Sequence, residues 1–108
     1  MEQHPSYGST RPYAVVDGLA ELAGPQHGVI ELPLRMDWSQ QRSYDLDRDG
    51  DRRLLYETVL NEALRPDDLR ELLNGELLLR LWSRLWLPRR IRELWETRFP
   101  QLFTARVA

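Results

Sequence analysis

Residues 76–87 read ELLLRLWSRLWL, and no other stretch limits the fold so tightly. At about 100° per residue, Leu77, Leu78, Leu79, Leu81, Trp82, Leu85 and Trp86 spread over roughly 200° of a helix. Glu76, Arg80, Ser83 and Arg84 are left as its polar face. An ordinary surface helix carries an apolar stripe of about 100° or somewhat more. A continuous helix here must therefore be central to its domain or be covered from outside. Trp82, at mid-arc, is expected in the core. Leu79 and Trp86, at one edge of the arc, are expected at an interface, because tryptophan concentrates at binding hot spots as well as in cores.

Proline and glycine divide the rest of the second half. Leu55, Val59, Leu60 and Ala63 form one helical stripe over residues 51–64, and Asp49 or Asp51 suits the cap at its positive end. Pro66 ends that helix, since the residue before a proline is pushed out of helical conformation. It then suits the first turn of the next, with Leu69, Leu72 and Leu73 buried and Asn74 and Gly75 as a stop. Pro88 likewise closes the 76–87 helix and opens a last one on Ile91, Leu94, Trp95 and Phe99. Leu102 and Phe103 are expected to fold back on the bundle.

The first half has a different period. Residues 13–23 predict a short helix through Val15, Val16, Leu19 and Leu22, with Gly18 against it and Gly24 and Pro25 as its end. From Ile30, apolar residues alternate with polar ones through Leu32, Leu34, Met36 and Trp38, which predicts a half-buried strand, at an edge or kinked where Pro33 cannot donate. Residues 42–46 alternate again and suit a second, antiparallel arm. Two strands alone are marginal in water, so this hairpin, at about 28–46, must lie on the helices. Residues 1–12 are too polar to fold alone and are read as a disordered tail. The expected fold class is mainly α (α+β): one helical domain over residues 13–108, four or five helices with an N-terminal β-hairpin.

A chain of 108 residues can bury roughly two thirds of its unfolded surface. It has no cysteine, which removes disulfides and thiol chemistry. No apolar run approaches the roughly 20 residues of a membrane span, and residues 1–13 lack the apolar segment of a signal peptide. A cytoplasmic protein is expected. All fifteen basic residues are arginine, in keeping with a GC-rich genome. The net charge of -2 argues against a generic nucleic-acid binder, but it is unevenly placed. Residues 1–60 hold six arginines against ten acids, a balance of -4. Residues 80–98 hold six arginines against two acids, a balance of +4.

Candidate chemistry is sparse. Asp45, Asp47, Asp49 and Gly50 match the opening of an EF-hand loop, but the twelfth position, which needs a bidentate glutamate, is Tyr56 and the eighth is Arg52. An acidic turn that caps a helix is the better reading. His4 and His27 sit among proline and glycine with no neighbour at ligand spacing and read as solvated. No nucleophile and base pair is present, so neither enzyme chemistry nor a cofactor or metal is expected. Arg89, Arg90 and Arg92 are more informative. In the first turn of a helix they oppose the macrodipole, and their placement suits a carboxylate on a partner or a phosphate.

The run GPQHGVIELPLRMDWS, then SYDL, LLYETVLNEA and DLRELLNGELLLRLWSRLWLPRRIRELWETRFPQL, resembles a family of small actinobacterial proteins often encoded beside AbiEii-type nucleotidyltransferases, the toxins of certain toxin–antitoxin pairs. Its more distinctive elements are Glu31, Leu32 and Pro33 with Trp38, then Leu81 and Trp82 followed by Leu87, Pro88, Arg92, Trp95 and Glu96. The resemblance implies an antitoxin-like, non-catalytic partner that inhibits the transferase by contact. The expected docking surface combines Leu79 and Trp86 with Arg84, Arg89, Arg90 and Arg92. A homodimer through the same apolar edge is the other arrangement an overfull helix allows. The alternative function is a DNA-binding transcriptional regulator, with residues 67–73 and 76–87 as a degenerate helix-turn-helix. Its second helix is apolar for a major groove, where base-reading side chains are needed.

Overall fold

The computed structural model describes residues 13–37 and 43–107. The expected tail at residues 1–12, and with it His4, lies outside them, as does Trp38. Among the described residues the protein is mainly α, with five α-helices and one small antiparallel hairpin.

Strand β1 (Val29–Glu31) pairs with β2 (Ser43–Asp45), Ile30 facing Tyr44. The alternation over residues 30–38 predicts a longer first strand than this. It stops at Glu31 because Pro33 has no N–H to offer a ladder, and the Pro33 carbonyl instead accepts the Met36 N–H at 3.0 Å to close a turn. Leu32 and Met36 are still buried, while Leu34 points out.

Helix α1 (Asp49–Glu62) starts two residues earlier than its apolar stripe suggests, with Asp49 and Asp51 both in the first turn. The Asp51 carboxylate accepts the Asp45 N–H at 3.0 Å, which ties the hairpin to the helix. Leu55, Val59, Leu60 and Ala63 are buried as their spacing predicts, together with Tyr56. Helix α2 (Pro66–Leu72) begins on its proline. Asp68, almost fully buried, accepts the Leu64 and Arg65 N–H groups and holds Arg35 at 2.8 Å. The Arg35 guanidinium, helped by those two N–H groups, holds the Asp68 carboxyl down at about 2.

Asn74 and Gly75 start a helix rather than stop one. The Asn74 side chain accepts the Glu76 and Leu77 N–H groups, each at 3.1 Å, and caps α3 (Gly75–Leu81). Gly75 is needed for close approach, since a Cβ there would lie 2.4 Å from the Leu19 carbonyl oxygen. That contact belongs to the segment expected to form a first helix. Only one 3-10 turn, Leu19–Glu21, forms there. The backbone after it is spent on other elements: Ala23 N–H donates to Arg70, Gly24 N–H to Leu73, and the Leu22 carbonyl accepts from Gly75. Those groups would have to turn inward in a helix, and the tertiary bonds replace them.

The stretch at residues 76–87 is not one helix. Helix α3 ends at Leu81, Trp82–Arg84 tighten into a 3-10 turn, and Leu85 is extended. Leu77, Leu78, Leu81, Trp82 and Leu85 are buried all the same. Helix α4 (Arg89–Arg98) follows Pro88 and buries Ile91 and Trp95, with Phe99 buried just beyond it and Leu94 half-buried. Helix α5 (Pro100–Val107) is the element the apolar pattern hides, because only Leu102 within it is buried. Phe103, expected to fold back, is half-exposed beneath the Arg106 guanidinium at 5.5 Å. No described helix is long and apolar enough to cross a membrane.

Candidate functional site

Trp82 and Trp86 end up in opposite surroundings. The Trp82 ring is fully buried, with its N–H donated to Glu96 at 2.8 Å and the Arg92 guanidinium 5.0 Å from the ring centre. Glu96 also accepts from Arg106, which is the main reason its carboxyl is held below the usual range. Trp86 is 87% exposed. Its backbone is nevertheless fixed, because its N–H donates to the Glu57 carboxylate of α1 at 2.8 Å.

That bond sets the indole beside an open groove of about 530 Å3. Leu54, Glu57, Thr58, Asn61 and Glu62 form one wall, at the three- and four-residue spacing that puts them on one face of α1. Met36 and Asp37 contribute the other. The groove is thus apolar at Leu54, Met36 and Trp86, and acidic at Asp37, Glu57 and Glu62. Asp37 is itself buried and accepts the Tyr44 hydroxyl proton. Burial, with that carboxylate second, pushes Tyr44 up to about 12.

The six residues expected at a docking surface are dispersed. Arg89 and Arg90 are exposed in the first turn of α4, three and four residues after Trp86. Arg89 pairs with Glu93 at 2.9 Å, both in solvent, a pairing that contributes little. Arg90 has no ion-pair partner among the described residues. Arg84 turns the other way, to Asp49 at 3.0 Å. Arg92 turns inward, donating to the Leu85 carbonyl at 2.6 Å and the Trp82 carbonyl at 3.5 Å. It acts as the C-terminal cap of the broken helix, which leaves Arg89 and Arg90 as the exposed arginines of the three. Leu79 is half-buried against the core in a separate shallow pocket with Leu19, Ala20 and Leu22.

The remaining candidates also resolve into local bonds. Asp45 accepts from the Asp47 N–H, Asp47 lies 2.8 Å from the His27 Nδ1, and Asp49 takes arginines. The three carboxylates of the EF-hand-like sequence are thus each engaged separately, and no cluster of three ligating side chains occurs among the described residues. His27, read from sequence as solvated, is exposed and in addition pairs with Asp47, whose carboxyl it holds below the usual range. Sequence spacing missed this pair because the two are joined only across the hairpin.

The helix-turn-helix reading fares differently. Helices α2 and α3 are seven residues each, and α3 spends Leu77, Leu78 and Leu81 on the core. Glu76 and Arg80 are its exposed side chains. No protein-family model, curated protein or solved structure matches this chain.

Proposed function

We propose that this protein is a non-catalytic protein-binding module whose docking anchor is Trp86. The observation that carries the reading is a large ring left 87% exposed on a backbone pinned by Glu57. With the backbone already held, binding has only the two side-chain torsions of the indole left to order, and tryptophan is enriched among hot-spot residues. Its flanks differ in charge. Arg89 and Arg90 suit carboxylates on a partner, while Glu57, beside the indole, suits a basic side chain lying against its face. The partner surface is accordingly a basic group beside acidic ones, with an apolar contact between them.

The sequence resemblance supports an AbiEii-type nucleotidyltransferase as the partner, with this protein as its antitoxin-like inhibitor. Contact by Trp86 and the arginines near the acidic active site of such an enzyme would block it without chemistry. The short, inward-facing α3 supports contact with protein over reading of a DNA groove, for which a helix must present several base-contacting side chains. The test is co-expression of the chain with an AbiEii-type transferase. Trp86→Ala is expected to weaken the complex by about 2 kcal/mol or more and, with Arg89→Ala/Arg90→Ala, to abolish neutralisation while the fold is kept. Full neutralisation by the folded triple variant would reject the surface.

A further inference from the structure

We infer that the pocket between the hairpin, α1 and α3 is a binding site for a phosphoryl group, either free phosphate or the phosphate of a small monoester. Three guanidinium groups from three elements line a pocket of about 210 Å3: Arg52 in the first turn of α1, Arg80 in α3 and Arg84 in the 3-10 turn. Gln26 and His27, from the loop before β1, complete its polar wall. Like charges are not gathered into one concavity at no cost, and no carboxylate lines the pocket beside them. A single carboxylate, Asp49, takes Arg52 at 3.1 Å, Arg53 at 3.2 Å and Arg84 at 3.0 Å. Arg80 donates to the amide oxygen of Gln26 at 2.8 Å, not to an acid.

The nearby acids are Asp47, which faces His27, and Glu76, which accepts from Gln26 at 3.3 Å. With Asp49 they make three carboxylates around the pocket, but none of them lines it, whereas three arginines do. Each guanidinium has five N–H donors, so most of those around the pocket are not used on protein acceptors. The Arg52 Nε is buried without any acceptor, and a nearby anion would offset that charge through its field even without touching the atom. Planar forks arriving from several directions match the oxygens of a tetrahedral anion better than the two of a carboxylate. The pocket is smaller than the roughly 300–1,000 Å3 that drug-sized ligands occupy, which favours a phosphoryl group over a whole nucleotide.

The experiment is calorimetric titration of the full chain with inorganic phosphate, glycerol phosphate and citrate, alongside thermal unfolding in chloride of matched ionic strength. Saturable phosphate binding with a raised Tm is expected, weakened about tenfold or more by Arg80→Gln. Arg84→Lys, which keeps the charge and loses the fork, should weaken it less. Glycerol phosphate binding at least as well as phosphate identifies a monoester site, and binding of phosphate alone identifies a site for the free ion. Citrate binding as tightly as phosphate would overturn the assignment, as would equal stabilisation by chloride or unaltered binding in folded Arg80→Gln. Trp86, Arg89 and Arg90 remain intact in both variants, so failure here leaves the docking test standing on its own.

Discussion

Trp82 and Trp86 are four residues apart, and one is sealed while the other is bare. On an unbroken helix they would lie about 40° apart and share surroundings. The difference comes from the seven residues that begin at Trp82, where the helix loses its hydrogen-bond ladder. Arg92 takes up the carbonyls of Trp82 and Leu85, and Glu57 takes up the N–H of Trp86. A chain break stabilised by side chains from two other segments turns one apolar run into a core residue and a surface anchor.

The largest expected effect is on the sealed side. Trp82→Ala should cost about 3–5 kcal/mol, the usual loss for a fully buried aromatic, read as a fall in the urea midpoint. A loss below about 1 kcal/mol would show that the Trp82 pocket collapses freely and that the contrast with Trp86 is shallow. Next comes the join itself. Arg92→Ala leaves two carbonyls without their guanidinium, and about 1–3 kcal/mol of destabilisation is expected. Hydrogen exchange at residues 82–88 should rise before the rest of the molecule, and uniform loss of protection would mean that the join is not a separate unit.

A third test uses acid. The Glu96 carboxyl beneath Trp82 is held below its ordinary 4.5, chiefly by Arg106. A depressed carboxyl contributes stability that is whole above its unfolded pKa and lost as pH falls through its folded one. Stability should therefore fall on acidification below pH 4.5, and Glu96→Gln should flatten part of that fall while lowering stability at neutral pH. An unchanged acid slope in Glu96→Gln would remove this group from the account. The smallest effect belongs to the bare side. Trp86→Phe should change stability by no more than about 0.5 kcal/mol and, compared in a Trp38→Phe background, should remove the part of the tryptophan emission most quenched by acrylamide. Undiminished quenching would place the exposed indole elsewhere.

Much of this arrangement is legible in the sequence where the cause is local. The α1 stripe of Leu55, Val59, Leu60 and Ala63, the proline that opens α2, and the α4 residues Ile91 and Trp95 all follow from periodicity and punctuation. The exposure of Trp86 is also expected, but from a premise the structure removes, since it rests on a continuous helix that ends at Leu81. Arg92 reads from sequence as a charge for a partner because its helical position opposes the dipole, and nothing local reveals the two carbonyls it serves. The pocket of Arg52, Arg80 and Arg84 leaves a fainter trace. Arg80 and Arg84 are four apart, but Arg52 joins them only when α1 and α3 pack.

By itself the amino-acid order determined the helices over residues 49–62, 66–72 and 89–98, the prolines that open the last two regions, and the buried stripes Leu55, Val59, Leu60 and Ala63 and Ile91 and Trp95, because each depends on neighbours within a turn or two. Tertiary structure alone decided that the longest apolar run would break after Leu81, that Asn74 would open a helix instead of ending one, and which arginines face outward. Those outcomes turn on backbone groups finding partners far along the chain, as Trp86 does with Glu57 across 29 residues, and such pairings exist only once the elements are packed.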